Sequence, residues 1–146
     1  MRSFRIVIAG HGNLPAALLG TAELICGRIP DLAAVGLQPG ETPDHFAAEL
    51  RAAIGHASAT GRTSERSSGG RVLVLTDLLG GTPFNVATAI GRRSPRVVCL
   101  SGTNLAMVVE AAMTDSDLDD AVVERLLEVG RAGIVETERH RARRAS

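Results

Sequence analysis

Residues 10–20 read GHGNLPAALLG and stand directly behind the apolar run FRIVIA at 4–9. The β-branched run predicts a buried strand. The stretch that follows places Leu14, Leu18, Ala22 and Ile25 at helical spacing, with Asn13 at the N-cap position and Gly27 near the end. Strand, glycine-rich turn, helix is the opening unit of an alternating fold. The hand-over leaves His11 between two glycines.

The alternation continues along the chain. LAAVGL (32–37), RVLVLTD (71–77) and RVVCLSG (96–102) read as strands. TPDHFAAELRAAIGHA (42–57) and TPFNVATAIGRR (82–93) read as helices, each with a threonine cap and a proline at its first position. Further helices are expected at 104–113 and 117–132, and SATGRTSERSSGG (58–70), which lacks periodicity, reads as a surface loop. The tail GIVETERHRARRAS offers a short edge strand at 133–137 before it frays. Strands alternating with helices imply an α/β fold with right-handed crossovers. Because the strands are apolar on both faces, the expectation is a doubly wound, mainly parallel sheet of four or five strands with helices on both faces.

Composition narrows the chemistry. A chain of 146 residues, 45% hydrophobic, suits one domain with one substantial core. No apolar run approaches the roughly 20 residues of a membrane span, and the N-terminus reads as a strand and not as a signal peptide. Cys26 and Cys99 form no CxxC and are expected as buried small hydrophobes in a reducing cytoplasm. All 16 basic residues are arginine. Without lysine there is neither a P-loop nor Schiff-base chemistry. With 3 Phe and no Tyr or Trp, aromatic platforms for single-stranded nucleic acid or a flavin are not expected.

In an open parallel sheet the site lies outside the carboxyl ends of the strands, where strand order switches. The segments to weigh are therefore GHG, QPGE (38–41), DLLGGTP (77–83) and SGTN (101–104). A dinucleotide fingerprint fails, because Pro15 stands where the third glycine belongs and Glu41 is poorly placed for the ribose. A zinc site at His11 lacks partners, since His45, His56 and His140 fall on expected helices or the tail and read as solvated. No metal and no cofactor are expected. Two readings of His11 stay open: a satisfied turn histidine, and a phosphorylatable one. For the second, Asp77 at the end of the third strand would accept from Nδ1–H and leave Nε2 as nucleophile. The GGTP turn would then offer a helix N-terminus to a phosphoryl group.

GHG, TDLLGGTPFN (76–85) and SGTNLAM (101–107) together resemble the mannose-type IIA domain of the bacterial phosphoenolpyruvate:sugar phosphotransferase system. The resemblance covers roughly the first 130 residues. It implies a cytoplasmic phosphotransferase component, with residues 1–133 forming the IIA domain and 134–146 a short strand or an arginine-rich tail. It also implies His11 as phosphoacceptor, Asp77 as its hydrogen-bonding partner, and Gly12, Gly80, Gly81 and Thr82 around the phosphate. The implied partners are the phosphocarrier HPr, a IIB component and a second copy in a homodimer; no nucleic acid and no membrane insertion are implied. The alternatives are a regulatory phosphoprotein of an incomplete system and the phosphotransfer subunit of a dihydroxyacetone-kinase-type system. The run RHRARR (139–144) reads as a solvated tail before it reads as a nucleic-acid contact.

Overall fold

A computed structural model describes residues 2–55 and 70–145. The elements run β1 (Arg5–His11), α1 (Leu14–Cys26), β2 (Leu32–Leu37), α2 (Pro43–Gly55), β3 (Val72–Thr76), α3 (Thr82–Arg93), β4 (Val97–Ser101), α4 (Leu105–Met113), α5 (Asp120–Ala132) and α6 (Thr137–Ala145). The loop read at 58–70 lies, but for Gly70, outside the described residues, as does His56.

The strands form one parallel sheet in the order β2-β1-β3-β4. Alternate residues of each strand serve opposite cores, as a two-residue period requires. Ile6, Ile8, Leu73 and Leu75 meet Ala22 of α1, Met107, Val108 and Ala111 of α4, and Val122 and Leu126 of α5. Val7, Ala9, Val72 and Val74 meet Phe46, Leu50 and Ile54 of α2 and Ala87 of α3. Helices thus cover both faces. The chain steps from β1 outward to β2, then returns across β1 to β3, so the switch lies between β1 and β3.

Three local expectations change. The segment 133–137 joins no strand; α6 begins at Thr137 and is exposed along its whole length, so the described sheet has four strands. On α1 the inward stripe is rotated by one position: Pro15 and Ala22 are buried and Leu18, Leu19 and Cys26 pack partly inward, whereas Leu14 and Ile25 are exposed. The α3 cap is Gly81 and not Thr82, which is the first helical residue. Thr42 does cap α2, its Oγ1 accepting from the His45 N–H at 3.2 Å. Both cysteines are free and half-buried; burial pushes the Cys99 thiol up to about 11, and it donates to the Ala87 carbonyl at 3.3 Å.

Candidate functional site

Parallel pairing brings the ends of β1 and β3 together: Ala9 is in register with Thr76, so the residues just beyond, His11 and Asp77, meet across the switch. The carboxylate of Asp77 holds His11 twice. Its Oδ2 accepts the His11 backbone N–H at 2.8 Å, and the ring Nδ1 lies 3.0 Å from Oδ2 and 3.2 Å from Oδ1. A carboxylate accepts only, so Nδ1 carries the proton and Nε2 keeps a free lone pair. The Asp77 side chain is 12% exposed and the His11 side chain 46%, which leaves the far side of the ring open to solvent. Partial burial pushes the Asp77 carboxyl up, but the His11 N–H, the His11 ring and the Leu78 N–H together outweigh it, and the net shift is downward.

Glycines make this approach possible. A Cβ on Gly10 would stand 2.8 Å from Asp77 Oδ2, and one on Gly81 would stand 2.9 Å from His11 Cε1 and 3.5 Å from Nε2. Gly81 therefore brings the start of α3, with its unsatisfied N–H groups and positive dipole end, against the reactive side of the ring. Gly80 adopts φ +80°, and Asn85 Nδ2 donates to its carbonyl at 3.1 Å, which closes the turn. The N–H of Gly12 donates to the Leu37 carbonyl at 2.8 Å and that of Gly81 to the Leu78 carbonyl at 3.1 Å. Both N–H groups are thus engaged within the protein; Gly12 provides a left-handed turn at φ +55°, Gly81 provides room for the ring, and Thr82 opens the helix with its hydroxyl free of capping duty. The SGTN segment supports from behind. The Thr103 N–H and Oγ1 both donate to the Thr76 carbonyl, at 3.1 and 2.8 Å, and Asn104 caps α4 by accepting from the Met107 N–H.

A second cluster, which residue-by-residue reading missed, lies beside β2. Glu41, His45 and Glu49 follow a four-residue spacing, and a donor atom from each lies within 4.8 Å of the others. That spacing was visible in the sequence; the direction in which the three side chains point was not. His45 Nδ1 is 2.7 Å from Glu41 Oε1, and the His45 pKa is raised, first by that hydrogen bond and then by the charge of Glu49. His140 is exposed on α6 and joins no cluster of donors among the described residues.

A doubly wound domain presenting a carboxylate-held, solvent-facing histidine at its switch point defines a class of site suited to group transfer at nitrogen. The comparisons narrow it. The family described as EIIA-man, PTS system fructose IIA component, matches residues 5–127. The mannose-specific EIIAB component of the phosphotransferase system from Escherichia coli K12 is 30% identical over 131 residues, 88% of this chain, and the chain spans only 38% of that relative. The crystal structure of phosphotransferase component EIIA from Streptococcus agalactiae superposes with TM-score 0.76 at 30% identity, covering 92% of this chain and 98% of that one. The mannose/sorbose-specific IIA subunit from Enterococcus faecalis gives 0.78 at 26%, covering 90% and 92%. The chain belongs to the mannose-type IIA family, the components of the sugar phosphotransferase system. No helix among the described residues is long and apolar enough to cross a membrane.

Proposed function

We propose that the chain carries a phosphoryl group on His11 Nε2, taking it from phospho-HPr and passing it to a IIB component for sugar uptake. The observation that carries this reading is the Nδ1–Asp77 contact at 3.0 Å, on a His11 side chain that is 46% exposed and lies beside Gly81 at the start of α3. The Nε2 lone pair attacks phosphorus as the N–P bond to the donor histidine breaks and its electron pair returns to the donor ring. Asp77 stabilises the cationic ring that results, while Thr82 and the first turn of α3, beyond Gly80, face the phosphoryl oxygens. Transfer to IIB runs the same step outward. No cofactor enters, and the working compartment is the cytoplasm. The functional unit is residues 1–133, with α6 outside it. The unit works as a homodimer.

Incubation with phosphoenolpyruvate, enzyme I and HPr, followed by intact mass, tests the reading. One phosphate per chain is expected, acid-labile and alkali-stable, and absent from His11→Ala; the same sample under native conditions should show twice the 15.2 kDa chain mass. An acid-stable adduct, or phosphate retained by His11→Ala, overturns the assignment.

A further inference from the structure

The corner between β2 and α2 holds an open surface depression of about 510 Å³ lined by residues that include Gln38, Gly40, Glu41, Thr42, His45 and Glu49. The phosphotransfer reading uses none of these side chains. Glu41 ends the loop, and His45 and Glu49 follow one and two helical turns on, so all three fall on one side of α2. Glu41 is the fixed member. Its side chain is 7% exposed, and Oε2 accepts the Gln38 N–H at 2.7 Å, which leaves Oε1 as the atom offered to His45. A carboxylate oriented by a backbone N–H is the kind of outer support that metal-binding carboxylates have. His45, at 65% side-chain exposure, is free to adjust.

We propose that Glu41, His45 and Glu49 form a binding site for one divalent transition-metal ion of the zinc class, with the remaining coordination positions filled by water from the depression. One imidazole and two carboxylates suit a borderline cation, and with the ring neutral their two negative charges match a divalent ion. The donors lie within 4.8 Å of one another; around one tetrahedral ion they would stand about 3.4 Å apart, a contraction that rotation of the exposed His45 and Glu49 side chains supplies. The metal takes the place of the proton between Oε1 and Nδ1: a protonated ring releases that proton to solvent and keeps the one on Nε2, and a neutral ring binds as the tautomer with its single proton on Nε2. The ion would clamp the Gln38–Thr42 turn to α2, on the strand that pairs with the His11 strand.

The test titrates Zn²⁺ into the chelator-stripped full chain at pH 8 by calorimetry, with circular dichroism to confirm folding. One equivalent should bind. His45→Ala and Glu49→Gln, both on exposed positions, should each weaken binding by about tenfold or more, and His11→Ala should leave it unchanged. Because the His11 variant removes the phosphotransfer site alone, this result stands apart from the fate of that reading. No binding at millimolar Zn²⁺, or binding lost in His11→Ala and kept in His45→Ala, overturns the proposal.

Discussion

Asp77 accepts from both the backbone and the ring of His11, so its replacement separates charge from shape. An asparagine amide can present N–H to Nδ1, which selects the tautomer with its proton on Nε2 and removes the nucleophile. Asp77→Asn should therefore fold and slow phosphotransfer by about 10²-fold or more, read in a rapid-quench transfer assay. The carboxyl also has a pH signature. Its pKa is lowered in the fold, so it contributes stability in full above the unfolded value of about 3.9, and this is lost as pH falls through the folded value. Acid unfolding should accordingly cost the wild type stability that the asparagine variant does not lose. Gly81→Ala probes the space beside the ring. Its φ of −70° accepts alanine, yet the new Cβ would press on Cε1 from 2.9 Å. Native melting with transfer slowed about 10–100-fold is expected; an unchanged rate would show that the ring has room to move.

Between β1 and β2 the decisive contact is backbone on backbone. The turn after β1 folds over β2 so closely that a Cβ on Gly36 would lie 2.0 Å from the Gly12 carbonyl oxygen. Gly36→Ala must push the two strands apart at the end that carries His11, where Gly36 is paired with Gly10. Urea unfolding should show a loss of about 2–3 kcal/mol, and a loss under 1 kcal/mol would mean that the turn relocates cheaply. The same element scale explains the rotated face of α1. Periodicity gives the spacing of a helix's apolar stripe, but α1 is apolar on much of its circumference, and packing against α4 and the sheet chose which stripe to bury.

Over the whole molecule, the rim of the site is apolar where a surface loop is ordinarily polar. Leu78 is 60% exposed and Leu79 74%, adjacent to Asp77 and to the start of α3. Two leucines left in solvent beside an open histidine suit transient docking of a protein donor. Leu79→Asp should weaken transfer from HPr, with the rate recovering as HPr concentration rises, and should leave the melting temperature unchanged. A variant that unfolds, or one with an unaltered concentration dependence, would remove Leu79 from the interface.

The sequence by itself determined the alternation of strand and helix, the apolar character of both sheet faces, the Thr42 cap and the glycine-rich strand ends, because these depend on residues within a few positions of one another. Resemblance in three short segments carried the family. Tertiary structure decided what local pattern cannot encode. The order β2-β1-β3-β4 is a pairing choice among strands, and only that choice places Asp77, 66 residues along the chain, against His11. At 133–137, where an edge strand is expected from the sequence, the segment pairs with none of the four described strands although β4 has an open edge, and α6 begins at Thr137. Likewise Glu41, His45 and Glu49 became a cluster only when the fold of the β2–α2 corner turned all three side chains toward one depression.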